Sequence, residues 1–294
     1  MIRFINKYAP FLKRHRIISL ALKMGLLKSV QEITFNESAR IYVDLMDPEP
    51  RNAFIRNEFE PDFFDVASQF IKPDSHILDV GSNVGFCSFG LAAMFSFPLN
   101  FHLFEANANL CSLLEKSKLL YPHHNFYINN ACVSNSIGSS TFTVSKTQSG
   151  QSHVSENTNS QEHTYEVQNI VIDAYAQEKQ IQKIDFLKMD IEGYELFALQ
   201  GLQNVLKNQN VSSLYIECIN KNFNRYQYSV NTIFDYLSKY DFVPFFCKSD
   251  DFISESFSKR MLKKLEIEPV PKDLDTSHLK TDILFLPKVN FGND

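Results

Sequence analysis

From residue 62 onward the apolar positions of the chain alternate between two periods. Phe63, Val66, Ala67, Phe70 and Ile71 recur at i, i+3, i+4, i+7 and i+8, which predicts an amphipathic helix beginning after Pro61 and ended by Lys72-Pro73-Asp74. His76 to Val80 is a short apolar run stopped by Gly81 and reads as a strand. Helix returns over Phe86–Phe95, strand over Asn100–Phe104, helix through Leu110, Leu113, Leu114 and Ser117, and strand over Phe126–Ile128. The pattern resumes with a strand at Ile184–Met189, a helix at Tyr194–Lys207 and a strand at Ser213–Cys218. A helix through Ile233, Tyr236, Leu237 and Tyr240 follows, then closing strands at Phe242–Phe246 and Ile283–Leu286. Such alternation predicts the α/β class, a mainly parallel sheet with helices on both faces.

Two stretches interrupt this rhythm. Residues 145–169 are polar, rich in Ser, Gln, Asn and His, and read as a long mobile loop or hairpin excursion. Residues 248–280 are charged, carry Pro269 and Pro271, and read as a second insertion. The expected organisation is therefore an N-terminal helical extension over 1–60 and an α/β body over 61–294. No run approaches the roughly 20 apolar residues of a membrane span. The longest candidate, Ile17 to Leu27, is broken by Lys23 and Gly25, and no cleavage site of a secretory signal follows it.

Composition narrows the functional classes. A chain of 294 residues that is 44% hydrophobic and 21% charged can bury a sizeable core and is neither fibrous nor disordered. Cys87, Cys111, Cys132, Cys218 and Cys247 are odd in number and form no Cys-x-x-Cys pair. Neither a disulfide framework nor a thiolate metal site is expected, and a reducing cytoplasm is the default location. His123-His124 is not spaced like a ligand pair on a helix, so no metal site is expected. Residues 1–30 carry seven basic and no acidic residues, leaving 22 basic against 34 acidic in the remainder. The acidic body speaks against a nucleic-acid partner. The basic head, interleaved with apolar residues, suits either a helix packed on the body or a peripheral contact with anionic lipid.

The chemistry concentrates at predicted strand ends. In Asp79-Val80-Gly81-Ser82-Asn83-Val84-Gly85 a strand meets a glycine turn and then a helix, whose first N–H groups favour an anion such as a carboxylate. Glu105, at the end of the second strand, stands where an acid accepts hydrogen bonds from ribose hydroxyls. Asn83 and Phe86 occupy positions where a dinucleotide fingerprint needs glycine, and no phosphate loop exists. The spacing suits instead a nucleoside with an amino-acid tail, S-adenosyl-L-methionine. Asp79, Glu105, Asp190 and Glu217 all fall at or near carboxyl ends of strands, the edge along which open α/β sheets bind ligands. In Lys188-Met189-Asp190-Ile191-Glu192-Gly193-Tyr194-Glu195, Asp190 and Glu192 are the catalytic candidates. Lys188 shares a strand face with Asp190 and can pair with it, and Glu195 suits the first helical turn as a structural acid.

These segments resemble the FkbM family of S-adenosylmethionine-dependent methyltransferases. The resemblance spans Phe59 to Lys288 and includes Phe59-Glu60-Pro61, the glycine turn, Phe104-Glu105-Ala106-Asn107, Asn130-Ala131-Cys132-Val133-Ser134, Ile172-Asp173-Ala174-Tyr175 and the Asp185–Glu195 run. Ser82 and Ala106 depart from the family's usual Ala and Pro. The resemblance implies a Rossmann-like seven-stranded sheet with an antiparallel last strand, and O-methylation of a hydroxyl on a sugar, lipid-linked glycan or small metabolite. On this reading Asp79, Gly81, Asn83 and Gly85 serve the methionine end of the cofactor, Glu105 its ribose, and Asn130 and Ala131 its adenine. A non-catalytic module of the same fold, binding a partner along the acidic edge, is the rival reading.

Overall fold

Residues 11–145, 149–155, 163–248 and 265–288 are described by a computed structural model. The remaining parts of the basic head and of the two insertions, 1–10, 146–148, 156–162 and 249–264, lie outside the described residues. The extension comprises α1 (Phe11–Lys23), β1 (Val30–Phe35), β2 (Ala39–Asp44) and α2 (Pro48–Arg56). It is thus not helical throughout: β1 and β2 form an antiparallel hairpin in register Phe35↔Ala39 to Val30↔Asp44. The reason is a period of two that the helical expectation overlooked, with Ile33, Phe35, Ala39, Ile41 and Val43 all buried. Tyr121 Oη binds both the N–H and the carbonyl of Arg40, fastening the hairpin to the body.

The body continues with α3 (Pro61–Ala67), β3 (His76–Val80), α4 (Phe86–Met94), β4 (Asn100–Glu105), α5 (Ala108–Lys118) and β5 (Asn125–Asn130). Then come β6 (Cys132–Val133), β7 (Gly138–Val144), β8 (His153–Val154), β9 (His163–Ile170), α6 (Ile172–Glu178) and β10 (Phe186–Met189). The chain ends through α7 (Glu195–Gln200), α8 (Gln203–Lys207), β11 (Leu214–Ile219), α9 (Asn220–Phe223), α10 (Val230–Ser238), β12 (Phe242–Lys248), β13 (Glu266–Pro269) and β14 (Lys280–Pro287). The single helix expected over 194–207 is two, parted at Gly201, which lies against the Ser134 carbonyl where a Cβ would come within 2.1 Å.

The central sheet has the order β13-β12-β14-β11-β10-β3-β4-β5. Strands β5, β4, β3, β10 and β11 are parallel, and β14 runs antiparallel to both β11 and β12. The expected seven strands are present, and an eighth, β13, is added at the edge by the second insertion. Successive strand residues feed opposite faces. Ile77, Phe101 and Phe186 join the apolar layer of α3, α4 and the hairpin, while Leu78, Phe104 and Leu187 join that of α6, α7 and α10. Part of the polar stretch 145–169 becomes β9, which pairs antiparallel with β7 in a second sheet of order β6-β9-β7-β8. The hairpin alternative for that stretch fits its described residues. Ala106, Cys132, Phe142, Val154 and Val167 form its small core.

The order of strand addition reverses between the parallel neighbours β3 and β10: β3 leads outward to β4 and β5, whereas β10 leads the other way to β11. This places the ends of β3 and β10 at a topological switch point, where the diverging connections leave a crevice.

Candidate active site

The crevice at that switch point is a cavity of about 1110 Å³. Its size is at the upper end of small-molecule sites, roughly 300–1,000 Å³, with room for two ligands side by side. Of the residues singled out from the sequence, Gly81, Asn83, Glu105, Ala131, Asp190, Glu192 and Glu217 line it.

The turn after β3 is built from hydrogen bonds that leave its geometry little freedom. Gly81 and Ser82 donate to the Phe104 carbonyl at 3.0 and 3.1 Å. Gly81 has φ +82°, and a Cβ there would lie 1.8 Å from the Asp190 carbonyl oxygen. Gly81→Ala is therefore expected to displace the Asp190 loop and lower the melting temperature markedly, since overpacking costs about 1–3 kcal/mol before the backbone conformation is counted. An alanine variant that melts like the parent would remove this account.

Glu105 locks the turn to its own strand end. One oxygen accepts from Asn83 N and the other from Asn107 N, each at 2.8 Å. A carboxylate offers about four lone-pair sites, more than these backbone N–H groups use, so it retains capacity for a hydroxyl donor. Burial pushes the Glu105 carboxyl up to about 7, against the pull of these backbone N–H groups. Asn130 does not line the cavity. Its amide donates to the carbonyls of Glu105 and Ala106 at 3.0 and 2.8 Å, so it shapes the wall from behind.

Asp79 and Gly85 also stand behind the wall. Asp79 is buried, accepts from Ser88 Oγ at 2.6 Å, and has its carboxyl raised by desolvation. A Cβ on Gly85, whose φ is +88°, would strike Phe89 and Leu114, so that glycine serves the contact between α4 and α5. Local spacing cannot separate glycines that face a ligand from those that face a helix.

The tip of β10 carries the second group. Lys188, buried, donates to Asp190 Oδ2 at 3.1 Å, as their shared strand face suggested. Burial disfavours its ammonium, but Asp190, Asp79 and Glu60 outweigh that and hold it charged. Glu192 sits at φ +56° and accepts from Asn222 Nδ2 at 2.9 Å, while Arg225 donates to its carbonyl at 3.0 Å. Glu195 is fully buried and accepts from Ile191 N at 2.9 Å, the structural role expected of it.

Asp190, Glu192 and Glu217 each place one carboxylate oxygen within 4.8 Å of the others. Such spacing sets the three carboxyls against one another for ionisation and could hold a cation, where the histidines and cysteines of the sequence point to no metal site. Desolvation, then Asp190, raises the Glu192 carboxyl to about 7, and the same pair of causes, joined by Glu192, raises Glu217 to about 10.

Two further acids were not recognisable as site residues. Glu49 comes from α2, whose start is set by Asp47 as N-cap and by Pro48. It accepts from Asn83 Nδ2 at 2.9 Å, and Ser149 donates to Asn83 Oδ1 at 3.0 Å and, through its N–H, to Asp47 Oδ2 at 3.0 Å. Glu60 lies in the Phe59-Glu60-Pro61 motif, but nothing in the motif says where it points. Burial raises both carboxyls to about 7.

The folded protein therefore binds protons at Glu49, Glu60, Glu105 and Glu192 that the unfolded chain has released. That stability is complete below about 4.5 and is lost as pH rises through about 7. His76, His102 and His124 are lowered by burial and oppose the trend only below about 6.5. The ligand-free protein is expected to melt at progressively lower temperature from about pH 6.5 to 8.5. A flat or rising profile across that window would contradict the burial of these acids.

A doubly wound sheet of this order, with an acid at the second strand tip and a cavity at the switch point, defines the Rossmann-like methyltransferase class, for which S-adenosylmethionine is the methyl donor. The model of the methyltransferase FkbM domain matches residues 79–244. The chain belongs to the FkbM methyltransferase family. Among solved structures it is similar to methyltransferase FkbM from Methylobacillus flagellatus KT, with 14% identity and a TM-score of 0.48 over 78% of this chain. The chain spans 48% of the length of that protein. It is also similar to SMU.1697c from Streptococcus mutans in complex with SAH, with 10% identity, 76% of this chain and 92% of that one, and a TM-score of 0.39. A third similarity is to M. jannaschii TYW2 in complex with AdoMet, with 7% identity, 88% of this chain and 86% of that one, and a TM-score of 0.38. No curated protein matches the chain.

Proposed function

We propose that the protein transfers the methyl group of S-adenosylmethionine to a hydroxyl oxygen of a sugar, a lipid-linked glycan or a small metabolite. The observation that carries this reading is that one cavity is lined both by Gly81, Asn83 and Glu105 and by the Asp190, Glu192 and Glu217 carboxyls. When bound, the cofactor supplies an already activated sulfonium methyl. Its net positive charge matches a wall holding Glu49, Glu60, Glu105, Asp190, Glu192 and Glu217. Glu105 receives the ribose hydroxyls on its free lone pairs, and Ala131 offers a small flat surface to the adenine. Alignment of the acceptor oxygen supplies much of the rate, about 7–11 kcal/mol in favourable cases. Glu192, with its carboxyl near 7, takes the hydroxyl proton, and Asp190, held by Lys188, orients the acceptor.

The test is a thermal shift with S-adenosylhomocysteine together with transfer of labelled methyl to fractionated glycans, lipids and metabolites. A ligand at 100 times its dissociation constant adds about 2.7 kcal/mol of stability. No shift and no labelled product would leave the non-catalytic module as the better description.

The extension supports a peripheral contact with anionic membrane on the cytoplasmic side. No helix among the described residues is long and apolar enough to cross a membrane. On α1, however, Leu20 is 58% exposed beside Ile17 on the face away from buried Ile18, Ala21 and Leu22, and just beyond the helix Met24 and Leu26 are 62% and 59% exposed. Arg16, Lys23 and Lys28 flank them. The full chain is expected to co-sediment with phosphatidylglycerol vesicles, and Leu20→Asp/Met24→Asp to abolish this. Retention of the variant, or no binding by the parent, would end the proposal.

A further inference from the structure

Charge is sorted along the cavity by strand order. The carboxyl and turn groups assigned to the cofactor sit on β3 and β4, and the Asp190–Glu192–Glu217 group follows on β10 and β11. Beyond them, where β11 meets β14, the lining changes sign to Lys221, Arg225, His278 and Lys280. Strands lie about 4.8 Å apart, so the β14 rim is roughly 19 Å along the sheet from β4. The β11–β14 register sets Lys280 opposite Ile219, two residues before Lys221.

The rim is held together by buried polar contacts. Asn220, only 7% exposed, donates from its side chain to Ser277 O at 3.2 Å, accepts from Val230 N at 3.1 Å, and donates from its backbone to Leu279 O at 3.1 Å. Although the cavity is rich in carboxylates, none of the ion pairs among the described residues includes Lys221 or Lys280. Arg225 spends one of its five N–H donors on Glu192 O and keeps the others for an oxyanion. Two ammonium groups outside those ion pairs, with His278 on the same rim, suit a compact, multiply charged oxyanion, for which lysine serves as a point charge.

We propose that this rim is a subsite for a phosphoryl group on the methyl acceptor. This rests on the methyltransferase reading and deepens it: the acceptor hydroxyl lies over the β10–β11 carboxyls while the phosphoryl group of the same molecule lies between Lys221 and Lys280.

The test titrates the full chain, at low ionic strength, with inorganic pyrophosphate and separately with S-adenosylhomocysteine. Pyrophosphate is expected to bind the parent and to bind Lys221→Gln/Lys280→Gln at least tenfold more weakly, with homocysteine-cofactor affinity within twofold in both. Absence of pyrophosphate binding, or equal binding by the double variant, overturns the subsite. Failure of S-adenosylhomocysteine to bind the parent sinks the methyltransferase reading instead, so the two failures are distinct. Displacement of pyrophosphate by glucose 1-phosphate places the phosphoryl group on a soluble sugar, and displacement only by vesicles carrying undecaprenyl phosphate places it on a lipid, each in support. Glucuronate displacing pyrophosphate as well as these do overturns the phosphoryl assignment.

Discussion

Glu192→Gln is expected to lower methyl transfer by two to four orders of magnitude while leaving S-adenosylhomocysteine affinity within a few-fold, because positioned proton transfer is worth about 10²–10⁴. The substitution keeps the size of the side chain and its capacity to accept from Asn222, so the loop geometry survives. What it removes is a carboxyl that burial and Asp190 raise to about 7. A base must be ionised to act, so the parent rate is expected to rise with pH through about 7 and then level, and the variant is expected to lose that limb. Because three carboxyls interact here, the midpoint belongs to the group rather than to one residue. Single-turnover transfer of labelled methyl, followed from pH 5.5 to 9, measures both features. A variant with parental rate, or one that keeps the rising limb, would take the role of base away from Glu192. Glu192 sits in the left-handed region at φ +56°, where Arg225 holds its carbonyl and Asn222 its carboxylate.

Glu105→Ala is expected to weaken S-adenosylhomocysteine binding by about 10- to 100-fold, with the larger loss at high pH. Each hydrogen bond to a charged acceptor is worth about 1.5–3 kcal/mol, and tenfold corresponds to 1.4 kcal/mol. The alanine also strips acceptors from Asn83 N and Asn107 N, so the turn that cradles the cofactor loosens together with the ribose contact. The pH dependence follows from the raised carboxyl: below about 7 the parent is protonated and is itself a poorer acceptor, so the difference between parent and variant narrows. Calorimetric titration at pH 6 and pH 8.5 tests this. Glu105→Gln, which keeps one acceptor oxygen, is expected to fall between the two. Equal affinity in the alanine variant would mean that the ribose sits elsewhere.

Most of the body was legible because its determinants are local. A burial period of two or of 3.6, stopped by Gly81, Pro61 or Pro73, identifies the strands and helices of the central sheet to within a few residues. The same locality explains the errors. The hairpin in the extension was overlooked beside the more conspicuous basic helix. The polar alternation of β9 leaves loop and hairpin both open, because only one of its faces is covered, chiefly at Val167. The eighth strand, β13, lies within the proline-bearing insertion, where composition argues against a strand, and it forms at the sheet edge with Pro269 as its last residue.

What the chain alone determined is the succession of elements, the glycine turn after β3, and the acids that end β4 and β10, since each depends on residues within a few positions of one another. The tertiary structure decided which of these face the cavity. It turned Asp79, Gly85 and Asn130 to the back of the wall, brought Glu49 to Asn83 across 34 residues, and set Lys280 opposite Ile219 by antiparallel pairing, on the cavity rim that Lys221 also lines. The reason is physical: backbone preferences and periodicity act between neighbours, whereas the meeting of distant side chains depends on strand order and on which buried faces must close against each other.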